Sequence, residues 1–285
     1  SAVGDLGGFR HTPDSLYVPS VSGMYKNPVF ANCDGIDYAA LNPDLVVRCG
    51  TSRSSNGAYS TDNGISWKPF ANQAGTGGGK IAIAADGSTI IWSQWDHHRR
   101  SNSLYRSDTI VFSKDRGQSW KPCNGISGRV RVTADRVNRD KFYAFNNNTL
   151  YLSTDKGEHF KAVRTGIEAG GSSVRVCAVF GLEGEIWITT GKGLYHSSNS
   201  GYDIMQVENV DKAYAVGFGK AAPESEYPTV YLVGIVSGIY GVFRSTDRAG
   251  SWIRINDDMH QYGSMDYIAG DERIFGRVYI GTHGR

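Results

Sequence analysis

The sequence is 285 residues long, 40% hydrophobic, 12% aromatic and 20% charged, with 30 basic against 28 acidic residues. Its only basic run, His97-His98-Arg99-Arg100, is too short for a nucleic-acid footprint, and no apolar stretch approaches the ~18 residues of a membrane span, so neither nucleic acid nor membrane is an expected partner. The 36 glycines, 16 tyrosines and 6 tryptophans suit many strands joined by tight turns, because glycine supplies positive φ and aromatic rings favour pleated surfaces.

The chain opens on Ser1-Ala2-Val3-Gly4-Asp5 with no initiator Met or signal peptide, and reads as the middle of a longer chain. The segment Gly4-Asp5-Leu6-Gly7-Gly8-Phe9-Arg10-His11 sets one carboxylate among glycines. That suits a site where a bulky ligand approaches the backbone closely, and equally a glycine-rich loop with a solvated aspartate. Four cysteines follow, Cys33, Cys49, Cys123 and Cys177. None has metal-ligand spacing, which argues against zinc or thioredoxin-like chemistry and leaves disulfides or buried thiols open.

From residue 60 onward one pattern recurs. Ser60-Thr61-Asp62-Asn63-Gly64-Ile65-Ser66-Trp67 is repeated as Ser113-Lys114-Asp115-Arg116-Gly117-Gln118-Ser119-Trp120 and, with Phe for Trp, as Ser153-Thr154-Asp155-Lys156-Gly157-Glu158-His159-Phe160. A weaker copy, Ser197-Ser198-Asn199-Ser200-Gly201, precedes Ser245-Thr246-Asp247-Arg248-Ala249-Gly250-Ser251-Trp252. The first serines lie 53, 40, 44 and 48 residues apart, the period of a four-stranded propeller blade. Each box lies between two strands, such as Thr109–Phe112 or Leu150–Leu152 before it. Two more strands stand upstream, as in Lys80–Ala84 and Thr89–Trp92 around Ala85-Asp86-Gly87. Phe142–Phe145, Glu185–Ile188 and Arg277–Ile280 are read as strands of later repeats. The fold class is therefore all-β, a β-propeller of Asp-box repeats over residues 1–285, with about six blades and ragged ends short of closure. The box aspartates are expected to be turn devices and Trp67, Trp120 and Trp252 core. Asn147-Asn148-Thr149 is a glycosylation sequon in a predicted turn, a weak pointer to secretion.

Two segments fall outside the repeat, Gly4–His11 and the polar run Ile255-Asn256-Asp257-Asp258-Met259-His260-Gln261-Tyr262-Gly263. Together with Ala39-Ala40-Leu41-Asn42-Pro43-Asp44-Leu45-Val46-Val47-Arg48, Gly217-Phe218-Gly219-Lys220-Ala221-Ala222-Pro223 and the closing Arg273-Ile274-Phe275-Gly276-Arg277-Val278-Tyr279-Ile280-Gly281-Thr282, they resemble the C-terminal propeller of glycoside hydrolase family 74. The resemblance implies a secreted enzyme of two seven-bladed propellers facing across a cleft, which cleaves the β-1,4-glucan backbone of xyloglucan with inversion. It implies Asp5 as general acid, with a raised pKa, and a general base on an N-terminal propeller. No cofactor is expected, and the seven histidines are too scattered to suggest a metal site. Xyloglucan and the N-terminal propeller are the implied partners. Phe9, His11, Trp92, Trp95, His260 and Tyr262 are the candidate sugar contacts, Trp92 and Trp95 because they flank the long loop from Ser93 to Thr109. After His11 the chain reads Thr12-Pro13-Asp14-Ser15-Leu16, where the family tends to have an acidic pair, so the shape of that loop departs from the pattern. A non-catalytic carbohydrate-binding propeller is the alternative. A sialidase is disfavoured, since no cluster of three arginines is arranged for a carboxylate.

Overall fold

The computed structural model describes residues 8–10, 23–52, 55–74, 78–94, 109–171, 174–260 and 263–282. Asp5, His11, Trp95 and Tyr262 lie outside the described residues. The described residues contain no α-helix, and the chain forms two compact units, residues 1–144 with 151–162 and residues 145–150 with 163–285.

In the first unit β1 (Asn32–Ala39), β2 (Asn42–Thr51), β3 (Gly57–Ser60) and β4 (Lys68–Pro69) form a four-stranded sheet paired in sequence order. The next four-stranded sheet is β5 (Lys80–Ile83), β6 (Ile90–Ser93), β7 (Ile110–Ser113) and β8 (Lys121–Pro122). The third is β9 (Val132–Ala134), β10 (Phe142–Asn146), β11 (Thr149–Ser153) and β12 (Lys161–Thr165), and the division between the units falls within it. The second unit holds a sheet of β13 (Arg175–Ala178), β14 (Ile186–Thr190), β15 (Gly193–Ser197) and β16 (Met205–Gln206), and another of β17 (Val210–Gly219), β18 (Thr229–Val236), β19 (Ile239–Ser245) and β20 (Ile253–Arg254). It ends in a two-stranded sheet of β21 (Met265–Gly270) and β22 (Val278–Thr282). Antiparallel meanders of this kind are the blade units expected from the box spacing.

The middle strands are apolar on both faces and buried, as in Ile90-Ile91-Trp92-Ser93 and Ile110-Val111-Phe112-Ser113. The fourth strands of the first two sheets are exposed Lys-Pro dipeptides, Lys68-Pro69 and Lys121-Pro122. Short edges carrying lysine and proline offer little for another chain to pair with. In the first unit Ile91, Phe112, Phe142 and Phe160 share one core, and Val47, Phe70, Ile81 and Trp92 another. In the second, Trp187, Leu194, Phe218, Leu232 and Phe243 pack together. Trp67 and Phe160 are buried as their box positions imply, but Trp120 and Trp252 are only half-buried. All four cysteines are free thiols, and burial pushes Cys33 up to about 11 and Cys123 up to about 12, so both stay protonated and unreactive at neutral pH.

Candidate functional site

Because each sheet is a meander, its connections fall at two ends. The first-to-second and third-to-fourth turns lie at one end, and the second-to-third turns and the links between sheets at the other.

The first end carries all five boxes, built alike. The box serine pairs opposite a buried residue of the second strand, Val46 with Ser60, Ile90 with Ser113 and Val230 with Ser245. Its hydroxyl accepts the amide four residues on, from Gly64, Gly117, Gly157, Gly201 and Ala249 at 2.8–2.9 Å. It donates to the carboxylate or amide oxygen of Asp62, Asp115, Asp155, Asn199 or Asp247 at 2.7–3.0 Å. That oxygen also accepts the backbone N–H of Ser66, Ser119, His159, Asp203 or Ser251. The Ser66 hydroxyl and amide hold Asp62 at about 2, and Ser119 does the same for Asp115. These carboxylates are permanently ionised turn acceptors with no proton to give at neutral pH.

The box glycine answers two demands. Gly117 and Gly157 have φ of 79° and 82°, and a Cβ on either would lie 2.6 Å from Phe70 or 2.3 Å from Ile91 of the preceding sheet. The fifth box places Ala249 there instead, at φ 68°.

The opposite end is irregular. Its second-to-third connections are two residues long at 147–148, 191–192 and 237–238, but run over 52–56 in the first sheet and 94–109 in the second. At the root of the longest loop the Gln94 amide donates to Thr109 O at 3.3 Å, and the Trp92 indole N–H donates to Gly78 O at 2.8 Å. Trp92 is 0% exposed, with the rings of Phe70 and Trp120 packed against it at 5.9 and 5.6 Å. This corrects the expectation of a sugar contact: no face of the Trp92 ring is open to a ligand.

His260 stands in the link between the fifth sheet and β21 and is exposed. Its Nδ1 lies 2.7 Å from Asp257 Oδ1, which also accepts the amides of Met259 and His260 at 2.9 Å. The hydrogen bond from His260 is the main reason that the Asp257 carboxyl sits below its usual range. Asn256 closes the loop, its Oδ1 accepting from Val242 N at 2.7 Å and its amide donating to His260 O at 3.1 Å.

Phe9 is half-buried and forms an antiparallel bridge with Met24. The amide of Arg10 donates to Gly23 O at 2.9 Å and that of Tyr25 to Gly8 O at 3.0 Å, so residues 8–10 are held against 23–25. Beyond them Tyr25 packs edge-on against Trp67 at 5.1 Å, next to Arg48. Arg48, on β2, is 0% exposed. Its guanidinium lies 5.0, 4.5 and 4.4 Å from the ring centres of Tyr25, Phe30 and Trp67, and its Nη2 donates to Lys26 O at 3.0 Å and Pro28 O at 2.6 Å. Burial lowers its pKa to about 10, still charged at neutral pH. Sequence reasoning passed over this residue. The available signal was a charge inside the apolar strand run Leu45-Val46-Val47-Arg48-Cys49, since arginine is almost never fully buried without a reason.

A second polar cluster escaped the sequence as well. In the second unit Glu185 Oε1 accepts from Tyr227 OH at 2.6 Å and lies 2.6 Å from His196 Nε2, while Trp187 Nε1 donates to Tyr227 OH at 2.9 Å. Arg248 of the fifth box reaches Glu185 at 3.5 Å and covers the Tyr227 ring at 4.3 Å. Burial pushes the Glu185 carboxyl up, but the bonds from His196 and Tyr227 and the charge of Arg248 leave it lowered overall. The cluster joins β14, β15 and the fifth box at the box end, and ties neighbouring sheets together.

The comparisons agree with this architecture. The BNR/Asp-box repeat family model matches residues 58–69, the first box with its flanking strands. A xyloglucanase from Paenibacillus sp. is 39% identical over 100% of this chain and 28% of its own length. A GH74 enzyme structure from Niastella koreensis is 38% identical with a TM-score of 0.86, covering 100% of this chain and 40% of that one. The GH74 xyloglucanase structure from Xanthomonas campestris is 34% identical with a TM-score of 0.87, at the same coverage of 100% and 40%. The chain thus spans well under half the length of the relatives it matches. In fold it is an all-β propeller of Asp-box repeats, and along its whole length it is similar to a segment of glycoside hydrolase family 74 enzymes.

Proposed function

We propose that this chain is the C-terminal propeller of a secreted two-propeller enzyme that hydrolyses the β-1,4-glucan backbone of xyloglucan with inversion. The observation that carries the reading is the likeness, over the whole of this chain and 28–40% of its relatives' length, to xyloglucanases and a GH74 enzyme at 34–39% identity. The division of each sheet into a uniform box end and an irregular loop end supports it, since variable loops on a rigid scaffold are where binding residues collect. The box aspartates are ionised and engaged, so the proton donor is sought outside them, at Asp5.

In this reading the Asp5 carboxyl gives its proton to the glycosidic oxygen as the bond from that oxygen to the anomeric carbon breaks. A carboxylate on the facing propeller takes a proton from the water whose oxygen bonds to the anomeric carbon. Inversion calls for roughly 6.5–9.5 Å between the two carboxyls, which a cleft between two propellers can provide. Asp5 must remain protonated at the working pH, so its pKa is raised by substrate burial and the facing carboxylate. Phe9 and the exposed His260 are the described residues offered to the sugar, with His11, Trp95 and Tyr262 as further contacts.

The test is xyloglucan hydrolysis by this chain alone and combined with an N-terminal propeller, read as reducing ends released and as the anomer first formed. Release only in the combination, with inverted anomeric configuration, is the expected result. Binding without cleavage in both cases would overturn it in favour of a carbohydrate-binding propeller.

A further inference from the structure

A buried arginine is an expensive way to fill space. Arg48 is 0% exposed, yet among the described residues its Nε and Nη1 have no hydrogen-bond partner. Methionine or leucine would occupy the same volume without desolvating a charge, so packing alone does not account for the guanidinium. Here Nη2 alone donates to both Lys26 O and Pro28 O, and what only a guanidinium adds is a flat cation whose faces lie against Tyr25, Phe30 and Trp67. Those partners lie on one stretch of chain, 25–30, apart from Trp67, which is the aromatic residue of the first box.

That stretch continues from residues 23–25, which bridge to Gly8-Phe9-Arg10. Residues 8–10 bond to 23–25 through Arg10 N to Gly23 O and Tyr25 N to Gly8 O. Phe30 leads directly into the first sheet, where Ala31 N donates to Thr51 O at 2.7 Å. The path of the chain around Phe9 is therefore fixed against the first sheet at two places, the Ala31 bond at its end and Arg48 in its middle. Gly8 is itself buried and lies three residues after Asp5.

We propose that Arg48 is a positioning residue for the reaction: by clamping residues 25–30 to the first sheet it sets the segment Gly8–Arg10, which carries Phe9 and begins three residues after the proposed proton donor Asp5 in the sequence. The inference rests on the reading of Asp5 as general acid given above. Arg48 itself touches no substrate. Its effect falls on how well the donor is aimed, since small misplacements of a catalytic group cost large factors in rate.

The leaving group separates aim from folding. A sugar departs as its hydroxyl only when the glycosidic oxygen receives a proton, whereas 2,4-dinitrophenolate departs unaided, so a misaimed acid slows the first and spares the second. The full-length enzyme carrying this chain is compared with its R48M, R48K and D5A variants. The substrates are xyloglucan and a 2,4-dinitrophenyl β-glycoside of a xyloglucan oligosaccharide. R48M should lower kcat on xyloglucan about 100-fold with KM within about twofold, and lower kcat on the aryl glycoside less than about 5-fold. R48K, which keeps the charge and donors but has no flat faces to lie against the three rings, should fall between. Equal losses on the two substrates, or no loss on either, would overturn the proposal. If R48M does not fold, W67F thins the same cage and the same ratio is read at smaller amplitude. D5A is the control on the underlying reading. If D5A shows the leaving-group dependence and the Arg48 variants do not, only the positioning role fails; if D5A loses equally on both substrates, Asp5 is not the acid.

Discussion

The box end and the loop end of each sheet obey different rules. At the box end five turns repeat one set of hydrogen bonds within a few tenths of an ångström, even where Asn199 replaces aspartate and Ala249 replaces glycine. At the loop end the second-to-third connection is two residues in three sheets and spans 94–109 in another. A turn that must return the chain onto a buried partner has one solution, and each copy converges on it. A loop that only has to rejoin two fixed strands is free to vary in length, and the cost grows slowly as it lengthens. Repetition thus marks what holds the fold, and its interruption marks where chemistry can be placed.

The sharpest test of that division is a pair of aspartates. D5A should cost the combined enzyme about 10³-fold in kcat on xyloglucan, the scale of a general acid, and leave its melting temperature unchanged. D62A should lower the melting temperature and leave kcat within twofold. Loss of activity in D62A without loss of stability would break the comparison.

Next comes the cluster at the box end of the second unit. E185Q should destabilise the protein by about 2–3 kcal/mol at neutral pH, because hydrogen bonds to a charged group are the strong ones. The pH dependence follows from the lowered Glu185 pKa. A carboxyl held below its unfolded value of about 4.3 stabilises above that pH, and the contribution is lost as pH falls through the lower folded value. Denaturation midpoints of wild type and E185Q should therefore converge as pH drops below about 4; a constant gap would mean that the cluster is held by packing alone.

Within a box the serine is the hub. S153A leaves the buried Gly157 amide without its acceptor and should cost about 1–3 kcal/mol, a drop of several degrees by calorimetry. H260A acts at the loop end, and should raise KM for xyloglucan a few-fold while the melting temperature stays put. The smallest expected effect has the opposite sign. Ala249 sits at φ 68°, a conformation that strains any residue with a Cβ, so A249G should stabilise by about 0.5–1 kcal/mol. A destabilised A249G would mean that the methyl group contributes packing that outweighs the strain.

The strands were legible because their signals are local. Lys80–Ala84 and Thr89–Trp92 around Ala85-Asp86-Gly87 appear as β5 and β6, and Phe142–Phe145 as β10. A second repeated device went unread: Asp135 and Asp271 each accept two amides of their turn and a hydroxyl from the tyrosine eight residues on, Tyr143 or Tyr279. Two copies at such a distance are too sparse to register as a motif. Trp92 was misread because an aromatic beside a long loop looks alike in sequence whether its ring turns out to the loop or in to Phe70 and Trp120. Its indole N–H, satisfied by Gly78 O, decides the matter for the core.

By itself the sequence determined the repeat, the class of fold and the position of each box, because a turn of two left-handed residues with a serine hub is specified within eight residues. It also determined the family resemblance, which the comparisons bear out over the whole of this chain. Only the tertiary structure decided which aromatics face inward, which charge is caged at Arg48 and which acid is shared at Glu185. Those outcomes depend on residues tens of positions apart meeting across sheets, such as Glu185 with Tyr227 and Arg248, and no local pattern encodes such a meeting.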